Sequence, residues 1–512
     1  VLAAEPIERN EYVTPEALSG RRARPRNPGD FEDPKLFCFD DQFAGLAALG
    51  RIRKRTMNLV RADVEFMRDF CRRRLRPLTL ATDLMIQRDH TLLANEMLAL
   101  AARHHLLTRM VPRFMGGESN GVLWSLNPCA EESAAVEPAF QSGLLGGHGL
   151  GMAALIFSGN FGLIDWVVEQ TIKGEAEGQP FLIDTAITEP WAGTDVEEIE
   201  LLAQARLMTR AKQVRGGVVL SGRKCFITGA QLAACHLVIA PFDLADPVGT
   251  LAMFLVPAGT PGLTVGKPEN KMGHKAGPAG DLVFEDCYVP QENVVFSAQD
   301  LPRERRQAIL ELVLGLTRIT VGATGTGVAR GAFEVALSFA QNHGWRGRTL
   351  ISHQWVQAAL TDMLIRVYQA RGVYLEATQV LLNGFLPGET PRFLDTRLAA
   401  RIYAHPWTRK LRHGNWFRRL MLARQGRRPL SDMQRLNFYS SLAKVAGTDA
   451  GMANCHQALE LMGQAGLRQE AGAEKLFRDA KLCQIFEGTN QLNRLNMFKN
   501  FIARDIPGLE VF

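Results

Sequence analysis

Glu487 opens the chemical reading of this chain. It stands in EKLFRDAKLCQIFEGTNQLNR, residues 474–494, between Phe486 and the helix-interrupting Gly488. A carboxylate projected from such a break into an apolar cavity is desolvated, which raises its pKa and strengthens it as a base. The plainer alternative is a solvated surface glutamate. Arg478, Asp479 and Lys481, just upstream, are expected on the polar face of a helix.

Three earlier segments carry groups that would complement such a base. AITEPWAGTDV, residues 186–196, leaves an apolar strand for a turn rich in hydroxyls and backbone donors. Such a turn can hydrogen-bond the polar edge of a planar ring, or be a plain β-turn with an Asp cap. GRKCFITGA, residues 222–230, puts Phe226 and Thr228 two apart, hence on one face of a strand. There they pack against either a flat cofactor or ordinary core. MGHKAGPAGDLVFEDCYVP, residues 272–290, forms a loop and a strand.

Other motifs are decoys. GTGVARG, residues 325–331, has its third glycine displaced from a dinucleotide loop and lies in a small-residue helical pattern. It predicts a helix face packed close against a neighbour. GLLGGHGLG has no strand ahead of it and no Lys-Ser/Thr behind it, so no phosphate loop is supported. The eight cysteines are scattered, with no Cys-x-x-Cys pair and no zinc spacing. Free thiols in a reducing compartment are expected, with no metal site.

The elements that must position these residues follow from periodicity. Residues 40–180 carry apolar residues at three- and four-residue steps, residues 181–298 read as short strands cut by Gly and Pro, and helical signal returns from 303, except over 384–430 with its Pro, Gly and Arg content. Helices, then strands, then helices predict segregated domains in an α+β, mainly α, chain. The expected organisation is an N-terminal arm (1–39), a helical domain (40–180), a middle β-barrel or sandwich (181–300) and a C-terminal helical bundle (301–512) with a basic insertion at 384–430.

The 512 residues, 46% apolar and 22% charged, suit an ordered, soluble globular protein. Residues 1–35 read as an extended arm without the order of a secretion signal, and the leading Val leaves processing, an unusual start or a trimmed chain open. Pro138 to Ile164 lacks charged residues, but its glycines, His148, Ser158 and Asn160 favour buried helices over a membrane span. Residues 384–430 hold eleven Lys and Arg against Glu389 and Asp395, leaving 48 basic and 51 acidic residues elsewhere. The net charge of +6 is therefore local and does not mark a nucleic-acid binder.

The four chemical segments, in this order and spacing, resemble the acyl-CoA dehydrogenase family. The resemblance extends over roughly residues 90–512. LLTRMVPRFMGG followed by AEESAA is similar to the family's N-terminal helical domain, and HQWVQAALTDM and EGTNQLNR to its C-terminal helices. It implies a helical N-terminal domain, a middle β-domain and a C-terminal four-helix bundle. FAD would lie between the last two, with a neighbouring subunit at its adenine half, in a homodimer or homotetramer.

The implied reaction is α,β-dehydrogenation of an acyl-CoA thioester. Glu487 would take the α-proton, its N–H would help polarise the thioester carbonyl, and an electron-transfer flavoprotein would accept the electrons. Some members carry the base on an earlier helix, in a slot held here by Thr317. Thr188 and Thr228 match hydroxyls on the flavin ring and Phe226 an aromatic beside it. Thr194, Arg318 and Gly488 match positions on the substrate side; Thr489 and Gln491 match positions near the adenosine half.

The departures are specific. The family's Arg-x-x-Phe-Gly segment reads HGWRGRTLISHQ, so the diphosphate contact would move to Arg346 or Arg348, with Gln354 nearby. ELMGQAG keeps Gly463 but has Glu460 for a Gln, and an anionic Glu460 beside a diphosphate is unfavourable unless an Arg offsets it. Gly315 stands where some members have an Asp for the CoA adenine, which makes a carrier-protein thioester an alternative. HPWTRKLRHGNWFRRLMLARQGRR reads as a solvated basic loop, a subunit contact, or a peripheral contact with anionic lipid. An oxidase or oxygenase, or a non-enzymatic assembly protein, remain alternatives. The expected location is bacterial cytoplasm, membrane-associated through the insertion, or the mitochondrial matrix in a eukaryote.

Overall fold

The computed structural model describes residues 52–424, 429–506, 509 and 511. The expected arm, residues 1–39, lies outside them, as does the start of the first helical stretch.

Among the described residues, six α-helices precede the strands: α1 (Lys54–Phe70), α2 (Arg76–Arg88), α3 (Asn95–Arg103), α4 (Leu126–Ala134), α5 (Gly147–Ser158) and α6 (Phe161–Ala176). The uncharged stretch from Pro138 becomes a π-helical segment, Phe140–Gly146, then α5 and the start of α6. Gly159, at φ 64°, ends α5, and the Asn160 side chain accepts from Leu163 N to start α6. Leu155, Phe157, Leu163 and Ile164 are buried here, so this stretch is core.

The middle region holds β1 (Leu182–Ala186), the short α7 (Ile199–Leu202), and β2 (Arg210–Val214), β3 (Gly217–Thr228), β4 (Ala233–Pro241), β5 (Leu251–Pro257), β6 (Leu263–Val265), β7 (Ala279–Pro290) and β8 (Val294–Phe296). They form two four-stranded sheets, ordered β1-β4-β5-β8 and β2-β3-β7-β6. Among these strands β1 and β4 alone pair in parallel. Val238, Phe254 and Val256 of one sheet share a core with Val218, Leu220, Phe284 and Val289 of the other. The middle region is thus a sandwich.

Beyond it run α8 (Arg303–Asn342), the hairpin β9 (Gly344–Trp345) and β10 (Arg348–Thr349), and α9 (Gln354–Gly384). The basic segment contributes α10 (Arg397–Ala404), α11 (Pro406–Arg412) and α12 (Asn415–Arg424), and the chain continues through α13 (Leu430–Met462), α14 (Ala473–Cys483) and α15 (Asn490–Met497). Helices α8, α9, α13 and α14 form the C-terminal bundle. GTGVARG lies inside α8, where its glycines admit neighbouring backbone. A Cβ on Gly325 would sit 2.5 Å from the Gly447 carbonyl carbon, and one on Gly327 2.5 Å from Glu131 O. By length and composition α8 could cross a membrane, but it is the central helix of the bundle.

Two expectations need correction. The segment 384–430 is mostly helical, because its Pro and Gly fall at helix starts and between helices. Asp479 is on no polar face: it is fully buried, bonded to Lys475 Nζ at 2.6 Å and to the His274 N–H at 2.6 Å. Burial is tolerated because both oxygens are paired. The seven described cysteines are all free, and no group among the described residues could hold a metal.

Candidate active site

The four segments meet. Cys225 N–H donates to Thr188 O at 3.0 Å, joining the first segment to the second. Gly229 N–H donates to Pro278 O at 2.7 Å, joining the second to the third. His274 of the third donates through its backbone to Asp479 and meets the Phe486 ring edge-on at 5.5 Å. Arg318, buried on α8, closes the circuit: Nη2 lies 3.4 Å from Glu197 O and Nε 3.4 Å from Glu487 O.

Glu487 and Gly488 are consecutive left-handed residues, at φ 57° and 75°, in the turn between α14 and α15. Glycine adopts this freely; glutamate does so at a cost and persists only where its surroundings enforce it. Here Lys444 Nζ donates to Gly488 O at 2.6 Å and to Asn490 Oδ1 at 2.7 Å, while Asn493 Nδ2 donates to Gly488 O at 2.9 Å. The Thr489 hydroxyl caps α15 by accepting from Leu492 N at 3.2 Å. Among the described residues the Glu487 N–H has no acceptor.

The Glu487 carboxylate returns toward α8, where the Thr317 hydroxyl donates to Oε2 at 2.6 Å. Thr317, in the slot where the resemblance allows an alternative base, therefore touches Glu487 directly. Burial raises the Glu487 pKa, against the opposing effects of Thr317, Arg318 and Lys444.

A second carboxylate at this site was not foreseen. Glu197 ends the turn Thr194–Glu197, and its Oε2 is buried without a hydrogen-bond partner. A Cβ on Gly488 would lie 3.0 Å from that oxygen, and Arg318 Nη2 lies 4.0 Å from it. Burial, then the charge of Glu487, raises the Glu197 pKa. Burial lowers the Lys444 ammonium to about 8, opposed by the charge of Glu197. Glu197 also borders a cavity of about 30 Å³ walled by Val196, Leu202, Leu310, Val313 and Leu314. In sequence, DVEEIE reads as a solvated acidic run, and nothing local marks one glutamate as inward-facing. Lys444 likewise gave no signal within its helix.

On the other side of the turn, Phe226 and Thr228 are exposed while Ile227 between them is buried, so the two do share a face. Phe226 is 61% exposed and left-handed at φ 55°, where the β3–β7 register shifts between Lys224 and Ile227. A bulky residue at positive φ is an outlier that points to function. Thr188 and Thr194 are half-buried, and among the described residues the Thr188 and Thr228 hydroxyls have no protein partner. An unsupported aromatic with two unengaged hydroxyls fits a flat ring with a polar edge, as FAD presents.

Of the candidates for the rest of the cofactor, Gln491 lies beside Thr489 in the first turn of α15, whereas Arg346, Gln354 and Gly463 are not gathered here. Arg346, Gln354, Gly463 and Gln491 are exposed, and Arg346 stacks on Trp345 at 4.4 Å. From Thr317 to the end of α8 at Asn342 is roughly 38 Å at about 1.5 Å per residue. Arg346 and Gln354 follow that end. His343, which opens HGWRGRTLISHQ where the resemblance expects that segment's Arg, is instead a buried ring stacked on Phe339 at 3.8 Å. Glu460 is exposed on α13, 3.8 Å from His456.

The model of the acyl-CoA dehydrogenase middle domain matches residues 185–287, and that of the acyl-CoA dehydrogenase C-terminal domain matches residues 307–403 and 418–502. Together they cover more than half of the chain. Cyclohexane-1-carbonyl-CoA dehydrogenase of Geobacter metallireducens is 28% identical over 456 residues, 88% of this chain and 98% of that protein. Among solved structures, butyryl-CoA dehydrogenase of Megasphaera elsdenii superposes with a TM-score of 0.62 at 22% identity, over 87% of this chain and 98% of that one. A chain solved in work on the electron transferring flavoprotein of Acidaminococcus fermentans superposes with a TM-score of 0.67 at 22% identity, over 89% and 99% of the two chains.

Proposed function

Because this chain belongs to the acyl-CoA dehydrogenase family, FAD-dependent oxidoreductases acting on CH–CH bonds, we propose that it removes the α- and β-hydrogens of an acyl-CoA thioester with Glu487 as the base. The observation that carries this reading is the Glu487–Gly488 turn. It is left-handed at both residues, held by Lys444 and Arg318, and leaves the Glu487 N–H without an acceptor.

Bound FAD supplies the acceptor for the β-hydrogen as hydride. This chain's residues do the rest. Thr188, Thr228 and Phe226 take the flat ring, hydroxyls at its edge and aromatic beside it. Thr194 and Arg318 border the thioester arm. The free Glu487 N–H donates to the thioester oxygen, which stabilises charge developing there as the α-proton leaves. Glu487 accepts that proton while Thr317 fixes the orientation of its carboxylate. Thr489 and Gln491 hold the adenosine half. Arg346, Gln354 and Gly463 serve the FAD of a second subunit, since α8 carries Arg346 too far from Thr317 to serve its own. A homo-oligomer and an electron-transfer flavoprotein as electron acceptor follow from this reading.

One observation favours a carrier-protein thioester as a second reading. Gly315 lies against α13, where a Cβ would be 2.9 Å from Leu436 Cδ2, so no side chain is available there for the CoA adenine.

The test is an anaerobic absorbance titration of the purified holoprotein with acyl-CoAs of graded length. Wild type should bleach with at least one of them. Glu487→Gln should retain flavin but bleach about 10²–10⁴-fold more slowly. A variant that bleaches at the wild-type rate removes Glu487 from the base role. A wild type bleached only by carrier-bound acyl groups supports the second reading.

A further inference from the structure

The segment from Arg392 to Leu420 has two faces of opposite character. Its inner face is tied to the N-terminal helices. Asp165 on α6 accepts from Arg412 Nε at 2.8 Å, His413 Nε2 at 2.8 Å and the Tyr403 hydroxyl at 2.5 Å. Arg409 pairs with Glu169 at 2.8 Å, and Arg418 Nη2 donates to Val295 O at 2.7 Å. Phe417 meets Phe161 edge-on, and Leu422 is buried in the adjoining core.

The outer face repeats one pattern through three helices. Residues three or four apart on a helix share a face. On α10, Leu398 and Ile402 form one ridge, with Arg397 and Arg401 on the ridge beside it. On α11, Trp407 stands three residues before Lys410. On α12, Trp416 stands three before Arg419 and four before Leu420. The five apolar residues are 53–66% exposed, and Phe393 just ahead of them is 70% exposed. Arg392, Arg397, Arg401, Lys410 and Arg419 are exposed and have no ion-pair partner among the described residues. The nearby acids are already engaged: Asp165 and Glu169 by the inner cations, Asp395 by Arg113 at 3.6 Å.

We propose that this outer face docks the protein on an anionic lipid surface. Exposed Trp and Leu beside unpaired Arg and Lys match the boundary between headgroups and acyl chains: rings and aliphatic tips enter, and cations reach the phosphates. Ordinary solvation explains the cations but not six large apolar side chains among them. A two-fold contact with a second copy would set the patch against itself, cation facing cation. A bilayer carrying negative charge neutralises it instead. Anchoring through Arg412 and Arg418 holds these helices against the globular body, so docking would need no unfolding. This inference does not rest on the proposed reaction.

Flotation of the purified full-length holoprotein with vesicles tests it. The vesicles are phosphatidylcholine alone, or phosphatidylcholine with phosphatidylglycerol. Wild type should float with the anionic vesicles, remain behind with the neutral ones, and be released by added salt. Arg401→Glu/Lys410→Glu/Arg419→Glu should weaken anionic binding at least about 100-fold. Trp407→Ser/Trp416→Ser should weaken it at every salt concentration. Both variants should keep the wild-type flavin spectrum and elution volume. No flotation of wild type, or equal flotation with both lipids, overturns the proposal. So does a change in elution volume without vesicle binding, which would make the face a contact between copies of the chain.

Discussion

At the scale of single residues, the site is a contest over the charge of Glu487. Burial disfavours the carboxylate, while the Thr317 hydroxyl favours it through a 2.6 Å hydrogen bond. A base must be ionised to accept a proton, so kcat/KM should fall as pH drops through the raised pKa. The acid limb is therefore expected above the ordinary carboxylate value of 4.5. Thr317→Val removes a group that favours the charged form, so the limb should move further toward alkaline pH. A net hydrogen bond of about 1 kcal/mol corresponds to a shift of up to about one pH unit. A profile of kcat/KM against pH checks this, and an unmoved limb or a shift toward acid would count against Thr317 as the partner of the base. Glu487 was legible in sequence only because Gly488 follows it and three other segments keep register with it. Glu197 was not, because inward orientation of one acid in DVEEIE depends on Arg318, about 120 residues away, and such a contact leaves no local trace.

At the scale of elements, α8 and α13 approach closely enough for glycine to be required. A Cβ on Gly447 would lie 2.0 Å from Gly322 O, and one on Gly322 2.5 Å from Ala443 O. Both obstacles are backbone, which cannot rotate aside. Gly447→Val should therefore force the helices apart and cost about 1–3 kcal/mol or more. Since Thr317 and Arg318 ride on α8 and Lys444 on α13, catalysis should fall along with stability. Thermal unfolding paired with flavin reduction by substrate reads both effects, and a variant with wild-type Tm would mean that the helices pack differently. The glycines predicted this closeness from sequence because small residues recurring along one helix face have few other uses. The three helices of the basic segment were hidden for the opposite reason. Their Pro, Gly and Arg content resembles a loop, and the Asp165 anchor that organises them sits on α6, far away in sequence.

At the scale of the whole molecule, a buried ionic cluster joins the N-terminal helices to the C-terminal bundle. Arg330 on α8 lies 3.1 Å from Glu131 and 2.8 Å from Glu132, both on α4. Arg371 on α9 donates to Glu131 at 2.5 Å, and Arg68 on α1 to Glu132 at 2.7 Å. Burial alone would raise the Glu132 pKa, but Arg330 and Arg68 outweigh it and hold the carboxyl below its usual range. A depressed native pKa contributes stability above the unfolded value, and that stability is lost as pH falls through the native one. Removing one cation leaves buried carboxylates undercompensated, so Arg330→Met should destabilise the protein by about 3–5 kcal/mol at neutral pH. As pH falls, the stranded carboxylates of the variant protonate first, while wild type loses its own advantage only further down. The stability gap between the two should narrow progressively below neutrality. Denaturant unfolding of both proteins at several pH values measures that gap. A gap constant with pH would assign the cost to lost packing of the Arg330 stem, and the cluster would then bind the domains by shape and not by charge.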